Sequence, residues 1–257
     1  MTVLETCLWH ASDWIAWVDR SDDARPERQA LVDRLLMLRL SRAPRDLTLI
    51  HKPGRTLLWR SAPEGLRRTE PGSVDEAGRQ RPEVPAYPLE GEVRDPAGRY
   101  LPRRFVLDVG TATGHAVPVY RSPLGVRYGR AGGLYGRAVF SDGTPAAWAI
   151  LELTVTPPLT GALPYVAQAD GRGEFCLALD RLPALTRDAP LSSYPATLRV
   201  KASLTAARAW IEAQALVDPD ALDTVEVDSL PDLRVVPGRV ARLASAGSAQ
   251  LELQPGP

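Results

Sequence analysis

The stretch from Leu134 to Leu179 reads LYGRAVFSDGTPAAWAILELTV (134–155), a proline-containing break, then YVAQADGRGEFCLAL (165–179). Two alternating apolar runs flank Asp142-Gly143, and a third follows Asp170-Gly171. Alternation sends successive side chains to opposite faces of a strand, and Asp-Gly pairs favour tight turns. The stretch therefore predicts a small antiparallel β-sandwich. Gly143 and Gly171 are expected to supply positive φ in hairpin turns. Pro145 presets an extended backbone where the next strand starts. Ile150, Leu151 and Leu153 would give that strand apolar cover on both faces, while Phe175 and Leu177 point into one core.

Upstream, LEGEVRDPAGRYLPRRFVLDVG (89–110) is a faint echo of the same pattern. Gly91 and Val93 answer to Gly136 and Val139, then an Asp-containing turn with Gly98 or Gly143 is followed by Pro102 or Pro145. Such self-similarity suggests two related β-units. The intervening GTATGHAVPVYRSPLGVRYGRAGG (110–133) reads as a loop with one edge strand. Downstream, ATLRVKASL (196–204), TVEVD (224–228), LRVV (233–236) and AQLEL (249–253) read as short strands between Pro, Gly and Ser turns. ARAWIEAQALVD (207–218), carrying Trp210, fits a short helix or a strand.

The N-terminal part is less regular. Trp9, Trp14 and Trp17 fall close together among apolar residues, as in a packed or interface-forming element. Within 30–40, Leu31, Leu35 and Leu38 fit a helix, whereas Leu36, Leu38 and Leu40 alternate like a strand. DLTLIHKPGRTLLWR (46–60) places Pro53-Gly54 between apolar runs, a hairpin signal. Pro, Gly and charge then dominate through Pro88 without periodicity. The predicted organisation is an N-terminal docking segment at 1–62, a linker at 63–87 and a β-sandwich body at 88–257. The fold class is mainly β, an antiparallel transthyretin- or Ig-like sandwich with a smaller N-terminal β-rich or α+β segment.

Composition narrows the function. The 257 residues carry 24 prolines and 20 glycines, which suits many turns. Formal net charge is zero, so no global field draws in nucleic acid or an anionic membrane. No apolar run is long enough to span a bilayer, and no signal-peptide pattern opens the chain, so synthesis in the cytoplasm is expected. Cys7 and Cys176 are too few for a disulfide framework and read as buried free thiols.

The same passage is similar to the carboxypeptidase regulatory-like domain, a transthyretin-like β-sandwich. Gly136, Val139, Asp142, Gly143, Pro145, Ala149, Asp170, Gly173 and Phe175 stand at positions comparable to that family's motif. The turn before Pro145 is shorter than usual, and Ala169 replaces a threonine. The resemblance implies a fold more than a chemistry. Such modules are appended to enzymes, transporters and surface proteins, and resemble accessory proteins of phage tails and contractile injection machines. Intradiol dioxygenases share this sandwich style, but no histidine follows His115 to complete their iron site.

Chemical motifs are lacking. His10, His51 and His115 have no metal-ligand spacing. No nucleophile elbow or phosphate-binding loop occurs, and Asp142 and Asp170 fall where turns call for aspartate. No cofactor and no catalytic residue are expected. Charge is nevertheless uneven: Arg103, Arg104, Arg121, Arg127, Arg130 and Arg137 lie in one stretch with Asp108, whereas 218–228 reads DPDALDTVEVD. These are two solvated patches or complementary subunit contacts. The interface candidates are Trp9, Trp14, Trp17, Arg103, Arg104, Arg121, Arg127, Arg130, Asp218, Asp220 and Asp223. The expected function is a non-enzymatic structural or adaptor component of a phage-tail-like or contractile injection particle, contacting other subunits and copies of itself. The alternatives are a carbohydrate- or protein-binding module and an enzyme with an unrecognised site.

Overall fold

The computed structural model describes residues 13–21, 23, 25–60, 86–110, 113–158, 160–185, 192–230 and 232–255. Trp9, His10, Cys7 and most of the predicted linker lie outside them. The chain is mainly β, as the alternation predicts. Its N-terminal strands are β1 (Asp13–Asp19), β2 (Ala30–Leu31), β3 (Met37–Arg42), β4 (Leu47–Lys52) and β5 (Arg55–Arg60). Then come β6 (Tyr87–Arg94), β7 (Arg103–Val109) and β8 (Gly114–Val119). The C-terminal part contains β9 (Gly132–Phe140), β10 (Ile150–Val155), β11 (Leu163–Gln168), β12 (Glu174–Ala178) and β13 (Tyr194–Ala202). After the helix α1 (Leu204–Ala213) follow β14 (Asp223–Val225), β15 (Arg234–Val235), β16 (Arg239–Arg242) and β17 (Leu251–Leu253).

Two sandwich-like cores result. In the C-terminal one, the sheet β11-β10-β13-β14 faces the sheet built on β12-β9-β16, with β17 also on β9. Leu151, Leu153 and Val155 meet Phe140, Phe175 and Leu177 between them. In the N-terminal one, β2-β1-β5-β4 with β8 faces β3-β6-β7. Ile15, Trp17 and Leu58 meet Leu89, Val93, Phe105 and Val109 there. The echo segment therefore shares its core with the N-terminal strands. Residues 30–31 and 37–42 are strand, and the connection between them turns Leu36 into this core and leaves Leu35 exposed. Residues 204–213 are helix, capped by Ser203 Oγ accepting from Ala206 N at 3.2 Å.

The two Asp-Gly turns differ from expectation. Pro53-Gly54 closes a true hairpin between β4 and β5. By contrast, β9 and β10 lie in opposite sheets, as do β11 and β12, so both Asp-Gly turns are arches that carry the chain across the sandwich. Gly143 takes positive φ, at 83°. At the second arch that role belongs to Gly173, with φ 78°, and Gly171 does not supply it. Gly171 is small for another reason: an added Cβ would meet the Trp210 indole, whose Nε1 donates to Gly171 O at 3.0 Å. Trp148, the corner residue before β10, has φ 65° and stands edge-on to Trp210 at 4.7 Å. Arg208 reaches back to Asp142 at 2.9 Å, so α1 clamps both arches. Three pairings are parallel, β8 on β1 and both β16 and β17 on β9, within an otherwise antiparallel fold.

A small third cluster, Tyr120, Ile150, Val166 and Leu222, lies where the segment after β8 meets the outer face of β10 and β11. This explains the apolar cover on both faces of β10.

Candidate functional site

Three features gather the predicted interface residues. The first is the outer face of the N-terminal sheet. Alternation along β1 sends Ile15 and Trp17 inward and Trp14 outward. Trp17 is 1% exposed, donates from Nε1 to Thr56 Oγ1 at 3.0 Å and meets Phe105 edge-on at 5.6 Å. It is a core residue, closed to any partner. Trp14 is 39% exposed, and Arg55 sits over its ring at 5.6 Å. Register places Leu57 and then Ile50 beside it on the same face. Gly114 lies on the other side, where a Cβ would collide with the indole. The result is an apolar row across β1, β5 and β4, with Arg55 and Lys52 among its neighbours.

The second feature answers the charge asymmetry. Arg103 is buried, and its guanidinium donates to Asp218 at 2.6 Å, Asp220 at 2.8 Å, Pro118 O at 2.8 Å and Arg104 O at 3.1 Å. The basic and acidic stretches thus meet within one chain, where Arg103, Asp218 and Asp220 form an internal latch. The physical reason is that a buried guanidinium needs its carboxylates close by, and the fold brings β7 against the loop after α1. Arg104 N donates to Val217 O at 3.0 Å along the same seam, while its side chain pairs with Glu90 at 2.9 Å on the surface. A second latch joins Arg181 to Asp23 at 2.9 Å. The Arg25 hydrogen bond, aided by the Arg181 charge, brings the Asp23 carboxyl down to about 2. Asp223 and Arg130 are exposed.

The third feature is a cleft of about 450 Å³ beside the end of β1. Asp19, buried at its base, accepts from Arg121 Nε at 2.8 Å, Tyr100 Oη at 2.9 Å and Ser21 N at 3.0 Å. Burial and the Asp19 charge push the Tyr100 phenol well above its ordinary value, so it stays a proton donor. Arg34 pairs with Asp33 at 3.2 Å and lies over the Tyr100 ring at 5.8 Å. Arg99 and Arg127 complete the basic wall. Arg121 and Arg127 were candidates from sequence; Arg34, Arg99 and Tyr100 were not. Only the D-P-A-G turn before Arg99 marked this region, and it reads as a turn rather than a site.

His115 Nε2 lies 3.4 Å from Asp13 Oδ2, and His51 Nδ1 lies 3.3 Å from Thr56 Oγ1. Among the described residues no group of three or more His, Cys, Asp or Glu is placed to hold a metal ion. Cys176 is a free, half-buried thiol. No helix is long and apolar enough to cross a membrane among them. Comparison with protein-family models, curated proteins and solved structures returns no match.

Proposed function

We propose that the chain is a non-enzymatic adaptor that docks onto protein subunits of a larger particle through the Trp14 face of its N-terminal sheet. The observation that carries this reading is the row Ile50–Leu57–Trp14, an aromatic anchor among aliphatic side chains with Arg55 at hand. Tryptophan and arginine are the residues that most often dominate interface energetics. The two latched sandwiches behind the row give it a stiff backing, which lowers the entropic cost of docking. The resemblance to the carboxypeptidase regulatory-like domain suggests the setting, a phage-tail-like or contractile injection apparatus. The residues beside Trp14 in the row are aliphatic Leu57 and Ile50 and not further aromatic rings, which places the carbohydrate-binding reading second.

The test is co-sedimentation of the full chain with purified tail-like particles, alongside its own mass in solution by light scattering. The expected result is particle binding or self-association, weakened about 100-fold in Trp14→Glu, the loss of one central interface anchor. Trp14 is part exposed, so that variant should fold; circular dichroism checks it. A chain that stays monomeric and never sediments with the particles refutes the proposal. So does unchanged association of Trp14→Glu.

A further inference from the structure

The cleft beside β1 concerns a different surface and stands independently of the docking proposal. Its walls are unusually well fixed. Asp95 accepts from Ala97 N at 2.9 Å, Arg99 N at 2.9 Å and Tyr100 N at 3.2 Å, which freezes the turn that presents Arg99. The loop carrying Arg121 and Arg127 is tied to that turn. Ser122 N donates to Arg99 O at 2.8 Å, and Ser122 Oγ donates to Gly98 O at 2.6 Å. Gly125 lies so close that a Cβ there would strike Arg99 O. The two loops therefore hold their arginines on a shared rigid frame, which is what preorganised anion recognition requires.

The charges on this frame are unequally matched. Arg121 is held by Asp19, and Arg34 by Asp33 and, at 3.8 Å, by Asp95. Arg99 and Arg127 are exposed and have no carboxylate partner among the described residues. Two guanidiniums without counter-charge thus face a concave space, beside the Tyr100 ring and Leu31. Arginine forks suit tetrahedral and planar oxyanions, and two unmatched charges fit one dianionic group. The volume leaves room for a small organic remainder against Tyr100 and Leu31.

We infer that this cleft binds a small phosphate monoester, its phosphate held between Arg99 and Arg127 and its organic part against Tyr100 and Leu31. Isothermal titration of the full chain with glucose 6-phosphate, inorganic phosphate and succinate tests this. One-site binding of glucose 6-phosphate is expected, with inorganic phosphate weaker and succinate weakest. Arg99→Gln and Arg127→Gln should each weaken it about tenfold or more, as loss of a charged hydrogen-bond donor does, with Tm unchanged. Arg239→Gln, an exposed arginine on β16, should leave binding intact. The inference is overturned if neither phosphate gives saturable heat, or if Arg99→Gln and Arg127→Gln bind like the parent. Succinate binding as tightly as the ester, or inorganic phosphate binding where the ester does not, overturns the ester assignment. Failure here leaves the Trp14 face untouched, because particle binding is read separately.

Discussion

Replacing Arg103 with Met should release the seam between the two sandwiches. The buried guanidinium serves two carboxylates and two backbone carbonyls. Removing one partner of a buried ion pair typically costs about 3–5 kcal/mol, because the other charge is left uncompensated. Here the lower end applies. The Asp220 side chain is 58% exposed and Asp218 23%, so both carboxylates can regain water once the arginine is gone. Pro118 O and Arg104 O are the groups stranded, and methionine offers them no donor. The expected loss is about 3 kcal/mol, roughly a 1 M fall in the urea midpoint for a chain of this size. Arg103→Lys should fall between, because a single ammonium cannot reproduce the fork. A double-mutant cycle of Arg103→Met with Asp218→Asn should give a coupling of about 1–3 kcal/mol, and with exposed Asp220→Asn under about 1 kcal/mol. Asp218→Asn keeps its cap on Asp220 N, so its own cost is chiefly the lost charge. Urea unfolding followed by tryptophan fluorescence reads all of these. An Arg103→Met protein within about 0.5 kcal/mol of the parent, with no coupling to Asp218, would refute the latch.

Phe175→Ala removes a ring that is 1% exposed between the C-terminal sheets, and should cost about 3–5 kcal/mol in chemical denaturation; a loss under about 1 kcal/mol would mean the core closes without it. Gly171→Ala pushes a methyl into the Trp210 indole and should cost about 1–3 kcal/mol while altering the near-ultraviolet circular dichroism of the Trp148–Trp210 pair; an unchanged Tm would show that α1 does not clamp the arch. Asp23 has a folded-state value of about 2 against an ordinary 3.8, so its stabilisation is complete above the ordinary value and lost as pH falls through the folded one. The Arg25 and Arg181 side chains are 30% and 26% exposed, which screens the interaction and reduces the contribution to about 1–2 kcal/mol. Urea midpoints measured from pH 5 to 2 should therefore fall less steeply in Asp23→Asn, and identical slopes would remove Asp23 from the acid response.

Elements whose information is local were legible in the sequence. The alternation of Leu151, Leu153 and Val155 and of Phe175 and Leu177 marks strands because burial on one face of a sheet forces that period. Pro53-Gly54 marks a hairpin because its residues satisfy the turn by themselves. The Asp-Gly arches show where locality ends. A tight turn reverses direction in either case, and whether the next strand joins the same sheet depends on the corner at Trp148 and on α1, which arrives from residues 204–213. Parallel partners such as β8 on β1 and β16 on β9 join distant segments, and no periodicity encodes which strand lies beside which. The tryptophan cluster split for a similar reason. Proximity in sequence suggested one surface, but period two sends Trp14 and Trp17 to opposite faces.

The arginines divide by the same logic, and the division bears on function. Composition presents them as one basic stretch, yet burial assigns them opposite tasks. Arg103 is enclosed, and an enclosed guanidinium must bring its carboxylates with it; the acidic stretch at 218–220 is consumed in that role. Arg121 is held by Asp19 at the base of the cleft. Arg99 and Arg127 are left on rigid turns without a carboxylate among the described residues. A zero net charge therefore does not describe a neutral surface. The fold internalises matched pairs at its seam, and among the described residues cations without a carboxylate partner remain at the cleft. Salt should accordingly weaken phosphate-ester binding at the cleft more than it weakens the Arg103 latch, since screening acts chiefly on exposed charges and the Arg103 guanidinium is buried.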